Sequence, residues 1–133
     1  MQKKDISQKI IIFNRDGKLL TIHRTSTAPS DANKWDLQGG VLDYGEEAIS
    51  GIIRETKEET GLESKNIKPF DVESHIDSEG EFWVTIAYTA EIVSDKAILS
   101  FEHDESRWVT PEEFLKLKSS DKIMRFVKKI IPT

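Results

Sequence analysis

Gly40–Leu62 reads GVLDYGEEAISGIIRETKEETGL, and within it Ala48, Ile49, Ile52, Ile53 and Thr56 recur at helical spacing. A helix is expected over 46–60, closed by Gly61, the residue type that most easily takes a left-handed cap. At about 100° per residue, Glu55, Glu58 and Glu59 share one narrow sector, and Ile49, Ile52, Ile53 and Thr56 share the adjacent one. One side packs and the other presents three carboxylates. Most Glu-rich helix faces are simply solvated. Three acids at i, i+3 and i+4 nevertheless repel one another, and Arg54 alone does not neutralise them. A divalent cation would, and oxygen-only ligands suit Mg²⁺ or Mn²⁺, which keep waters and accept phosphate oxygens.

Around this helix the chain alternates strands and turns. Lys9 to Phe13 and Leu19 to Ile22 flank the turn Asn14-Arg15-Asp16-Gly17 and predict a hairpin. Thr25 to Asn33 reads as a loop, Lys34 to Leu37 as a short strand, and Gly39-Gly40 as its break. Phe82 to Ile92 alternates, with Phe82, Val84, Ile86, Tyr88, Ala90 and Ile92 on one face. Lys68 to Ser74 is expected to pair with it, and Arg107 to Val109 to add a strand. Thr110-Pro111-Glu112-Glu113 is a capping box that starts a helix running to about Leu117, and a last helix spans Asp121 to Ile131. Mixed strands with a central helix and terminal helices predict an α+β or layered α/β/α domain.

Composition bounds the chemistry. The 133 residues suit a single domain over 1–133, 37% hydrophobic and 32% charged, as in a folded soluble protein. No apolar run approaches the roughly 20 residues of a membrane helix, and Met1 to Ser7 lacks a signal-peptide core, so a cytoplasmic protein without membrane contact is expected. The absence of cysteine removes disulfides, thiolate metal sites and cysteine nucleophiles. A net charge of −5 argues against polymeric nucleic acid as a partner, while leaving small phosphorylated ligands open.

The fixed residues of the helix segment can now be read together. Gly40, five residues, Glu46, seven residues, then Arg54-Glu55-Thr56-Lys57-Glu58-Glu59-Thr60-Gly61-Leu62 resembles the Nudix box, with each fixed Gly, Glu and Arg in place. Seven matches at residue types of roughly 5 to 7% usage arise by chance in well below about one in a million such chains. Trp35 with Gly39-Gly40 is similar to the strand and loop that precede the box. Glu102, six residues before Trp108, and the following Val109-Thr110-Pro111-Glu112-Glu113 are similar to the family's closing segment. Two positions depart from the pattern: Thr56 stands where an aliphatic residue is usual, and Gln38 where proline is. The hydroxyl of Thr56 needs a partner if it is buried.

The resemblance implies an α+β fold, a Nudix-type α/β/α sandwich with a mixed sheet and a central catalytic helix. It implies Mg²⁺, with Mn²⁺ as a substitute, held by Glu55, Glu58 and Glu59 with the Gly40 carbonyl and Glu102. Glu58, Glu55, Arg54 and Glu102 are the implied catalytic set. The acid that takes a proton from water is Glu58 or a loop acid such as Glu102 or Glu105. Arg54 is expected to orient the acids or Glu46. Glu46 also suits a first helical turn on charge grounds alone.

Gly39 and Gly40 would let the loop approach a ligand. Arg24 and Lys34 are the nearest candidate contacts to phosphate or base. Among the aromatics, Phe82, Trp83 and Tyr88 are stacking candidates, although strand aromatics usually pack in a core. His23, His75 and His103 are each read first as ordinary strand or loop residues, with His103 the nearest to an exception, because it adjoins Glu102.

The expected activity is metal-dependent hydrolysis of a nucleoside diphosphate linked to another group, with nucleoside triphosphates, oxidised ones included, as the first substrate. A ligand-sensing module is the alternative, against which the intact acids argue. Isoprenoid diphosphate isomerisation is set aside, since similar enzymes use a cysteine. The protein is expected as a monomer or homodimer.

Overall fold

The computed structural model describes residues 4–93 and 103–132, so the expected metal ligand Glu102 lies outside the described residues. In chain order the elements are β1 (Lys4–Phe13), β2 (Leu19–Arg24), β3 (Trp35–Asp36), β4 (Gln38–Val41), α1 (Ala48–Thr60), β5 (Ser64–Ile76), β6 (Phe82–Ile92), β7 (His103–Val109), α2 (Pro111–Phe114) and α3 (Asp121–Lys129).

Ile10, Ile11 and Ile12 are all fully buried, which a strand achieves only when both its faces are covered. β1 is that strand. It runs parallel to β6 from Lys4↔Phe82 to Phe13↔Glu91, and antiparallel to β4 over Ser7↔Val41 to Ile10↔Gln38. Its end turns into β2 through Asn14, whose side-chain oxygen accepts from the Asp16 and Lys18 N–H groups. β5 extends the sheet beyond β6, and β3 and β7 pair with β2.

Two cores follow from the two faces. Ile10, Ile12, Tyr88 and Ala90 pack with Ile52 of α1 on one face. Ile11, Leu19, Leu37 and Ala87 pack with Phe114, Ile123, Phe126 and Val127 of α2 and α3 on the other. The architecture is a mixed sheet between helices. Among the described residues no helix is long and apolar enough to cross a membrane.

Several sequence expectations need correction. Gly39 and Gly40 do not break a strand; they lie within β4, at the register positions opposite Lys9 and Gln8. Glycine is required there by proximity, since a Cβ on Gly39 would overlap the Gln8 carbonyl oxygen. Helix α1 begins at Ala48, capped by the Glu47 carboxylate accepting from the Ser50 N–H at 2.7 Å, so Glu46 precedes the helix. Ile53 is 44% exposed, because the helix buries Gly51, Ile52, Thr56 and Thr60 instead. Gly61 does close the helix, at φ 71°. β5 and β7 are longer than expected, and α2 and α3 end earlier, at Phe114 and Lys129. Buried Thr56 satisfies its hydroxyl by donating to the Ile52 carbonyl at 2.8 Å, and buried Gln38 donates its amide to the Leu20 carbonyl.

Charged contacts join α3 to β5. Arg125 forks onto Glu73 at 2.7–3.1 Å, and Lys129 reaches Asp71 at 2.8 Å. The Arg125 hydrogen bonds hold the Glu73 carboxyl below its ordinary pKa. A depressed folded-state pKa gives stability that is present above the unfolded value near 4.5 and is lost as pH falls below it. Arg125→Ala is therefore expected to lower Tm by a few degrees at pH 7 and by less at pH 3.5, measured by thermal scans at both. An equal loss at the two values would contradict the assignment.

Candidate active site

Helix α1 carries its acids at the edge of β4, and Arg54 organises them. Its Nε and Nη2 donate to the two carboxylate oxygens of Glu46 at 2.7 and 3.0 Å, the fork geometry that suits a guanidinium. The same side chain pairs with Glu55 at 3.0 Å, Glu58 at 3.2 Å and Asp43 at 3.4 Å. The Glu46 bonds are the main reason the Arg54 pKa is raised, with Glu55 and Glu58 adding to it. In return Arg54, then the Asp43 N–H, lowers the pKa of Glu46. Glu46 thus lies just before the helix and holds Arg54 in place.

The three box carboxylates occupy different environments. The Glu58 side chain is 60% exposed and pairs with Arg54. Glu55 lies against the backbone of Gly40, so close that a Cβ there would sit 2.5 Å from its Oε2. Burial raises the pKa of Glu55, and Arg54 opposes that rise. Glu59 is the most enclosed. Its Oε1 accepts from the Gly39 N–H at 2.7 Å, and its Oε2 lies 3.9 Å from Nε2 of buried His103 on β7. Burial pushes its pKa up to about 7, against the pull of Lys9 and the Gly39 bond, while Asp36 and Glu55 add repulsion. Among the described residues no three acids or imidazoles stand close enough to enclose an ion as they are. The exposed Arg54–Glu58 contact is of the weak kind that yields readily.

Gly40 also borders a cavity of about 380 Å³ on the α3 side of the sheet, lined among others by Lys9, Arg24, Asp36, Trp83 and Lys122. Arg24 donates to the Ser30 carbonyl at 2.8 Å and lies 3.8 Å from Asp36. Lys9 donates to Asp36 at 3.0 Å and to the Leu37 carbonyl at 3.2 Å. Lys34 pairs at 3.2 Å with Asp31, which borders the cavity. Of the three aromatic candidates only Trp83 borders the cavity. Tyr88 is buried and accepts from Gln8, and Phe82 lies on the opposite face of the sheet.

Lys9, Asp36 and Lys122 were missed by the sequence reading. Each carried a signal. Lys9 opens an apolar strand run, Asp36 interrupts another, and Lys122 is a cation in the first turn of a helix, where the dipole disfavours it.

The NUDIX domain family model matches residues 3–129. The MutT NUDIX hydrolase of Burkholderia pseudomallei shares the fold at a TM-score of 0.84 and 26% identity, over 98% of this chain and 100% of that one. Nudix hydrolase 5 of Arabidopsis thaliana is 24% identical over 78% of this chain and 35% of its own length. An RNA pyrophosphohydrolase of Bartonella quintana is 37% identical over 41% of this chain and 34% of its own. The chain thus spans about a third of the length of these two curated relatives. With the box acids gathered on one helix edge and the family model running nearly end to end, the chain belongs to the Nudix family of hydrolases.

Proposed function

We propose that this chain hydrolyses a phosphoanhydride bond of a nucleoside triphosphate, giving a nucleoside monophosphate and pyrophosphate, with Mg²⁺ as the natural ion. The observation that carries the reading is the placement of Glu55 and Glu59 against the Gly40 and Gly39 backbone, beside a cavity that Lys9, Arg24 and Lys122 line together with Asp31, Asp36 and Asp77. The donor chemistry fits a hard divalent cation. All the groups are oxygens, and Glu55 and Glu59, whose pKa values burial raises, would be held ionised by such an ion.

Glu55, Glu58, Glu59, the Gly40 carbonyl and Glu102 would hold Mg²⁺, which when bound neutralises diphosphate charge and lowers the pKa of an attacking water. Glu58, the acid most open to solvent, is assigned to take the proton from that water. Arg54 and Glu46 keep the acids in register. Arg24 and Lys9, on the cavity wall beside Gly40, would meet phosphate oxygens. The same chemistry would act on a triphosphate at an RNA 5′ end, the reading that the name of the Bartonella relative suggests.

The test is product release from nucleoside triphosphates, nucleotide conjugates and a 5′-triphosphate RNA, in Mg²⁺ and in EDTA. Monophosphate and pyrophosphate are expected from free triphosphates, in Mg²⁺ alone, and faster than from the RNA. Binding without turnover of any substrate would favour the ligand-sensing alternative.

A further inference from the structure

The cavity beside Gly40 is walled by side chains whose hydrogen-bonding capacity can be followed atom by atom. Most of its carboxylate oxygens already accept a bond. Asp36 accepts from Lys9 with one oxygen and from the Leu37 N–H with the other. Asp77 accepts from the Glu79 and Glu81 N–H groups with one oxygen and from the Trp83 indole N–H, at 3.0 Å, with the other. Asp31 holds Lys34. The hydroxyls of Ser7 and Thr85 bond each other at 2.7 Å.

Lys122 differs from all of these. It projects from the first turn of α3 onto the sheet, where its Nζ donates to the Thr85 hydroxyl at 3.3 Å. An ammonium has three donors, and among the described residues no carboxylate lies within ion-pair distance of this one. The side chain is nonetheless half-buried, and burial, with repulsion from Lys9, lowers its pKa against the attraction of Asp36, Asp31 and Glu73. These three carboxylates attract the ammonium from beyond ion-pair distance, and with one donor on Thr85 the others are left for an acceptor in the cavity. Trp83 lies two residues before Thr85 on β6, so it projects from the same face of the sheet and is held by Asp77. A flat aromatic surface therefore flanks a donor on the cavity wall.

We propose that Lys122 is a specificity-determining residue that selects a 6-oxopurine base, guanine or hypoxanthine, over adenine. The inference rests on the triphosphate-hydrolase reading above and names its substrate class. A base seated against Trp83 presents its edge to Lys122: a 6-oxo group accepts from the ammonium, while the 6-amino group of adenine offers the ammonium another donor and no acceptor. A site built around a hydrogen bond discriminates through the loss incurred when the partner is missing.

The experiment compares GTP, ITP and ATP on the wild type and on Lys122→Met and Lys122→Arg, reading kcat and KM separately and measuring affinity by calorimetry in parallel. The wild type is expected to favour GTP and ITP over ATP by about tenfold or more in kcat/KM, with ITP close to GTP because the 2-amino group is not read. Lys122→Met should bring the GTP-to-ATP ratio close to one through KM, and Lys122→Arg, which keeps a donor, should retain the preference. A wild type indifferent to the purine, or a ratio that survives Lys122→Met, would overturn the proposal. If the wild type turns over none of the three, the hydrolase reading fails separately, and the calorimetric ratio still decides the role of Lys122.

Discussion

Glu58→Gln is expected to lower kcat about a thousandfold while leaving Tm within a degree or two of wild type, since general acid–base groups contribute about 10²–10⁴ in rate. The side chain is mostly exposed, and its protein contacts are those at 3.2–3.3 Å to Arg54, so the fold loses little when its charge is removed. Glutamine keeps the size of glutamate and can still accept from Arg54, but it takes no proton from water and is a poor ligand for a hard cation. Steady-state kinetics with a thermal scan of the same preparation separates the two effects. A variant that keeps more than about a tenth of wild-type kcat would remove Glu58 from the proton-transfer role.

The second large effect concerns two adjacent glycines that the structure distinguishes sharply. Gly39→Ala is expected to cost on the order of 4 kcal/mol or more, because the new methyl group would overlap the Gln8 carbonyl, and backbone in the middle of a sheet has nowhere to retreat. Gly40→Ala meets instead the end of a flexible side chain, the Glu55 carboxylate, at 2.5 Å. That carboxylate is able to swing away, so Tm should change little, while its displacement from the Gly40 backbone should cut kcat/KM by about 10²-fold. Urea titration and kinetics on both variants check the pair. Equal losses of stability would contradict the packing, and a fully active Gly40→Ala would contradict the importance of the Glu55 position.

How much of this was legible in the sequence differs by residue. The order of strands and helices gave the layered fold, and the spacing from Gly40 to Leu62 gave the acidic helix edge, because both depend on local patterns. β4 was not legible. Glycine counts as a breaker in a pattern reading, yet here two glycines make a strand pair possible by letting the backbone of β4 approach β1. Nor did periodicity separate the environments of the three acids. It placed Glu55, Glu58 and Glu59 in one sector, whereas the burial of Glu59 comes from β4 and from His103 on β7, both remote in sequence or unrecognised as strand.

The face of β6 that carries Trp83 and Thr85 was likewise passed over. Alternation assigned the even-numbered residues inward, but a sheet covered on both sides has two inward faces, and the second one bears the cavity. Lys122 reaches that cavity only because α3 packs across β6, a relation no local pattern contains.

The most direct test of the account is Mn²⁺ binding followed by electron paramagnetic resonance, on the wild type and on Glu55→Gln and Glu59→Gln. The account predicts that the wild type removes free Mn²⁺ from solution and that each variant binds it at least about tenfold more weakly, in line with the loss of one charged oxygen ligand. Titration curves for both variants that superimpose on the wild type would contradict it.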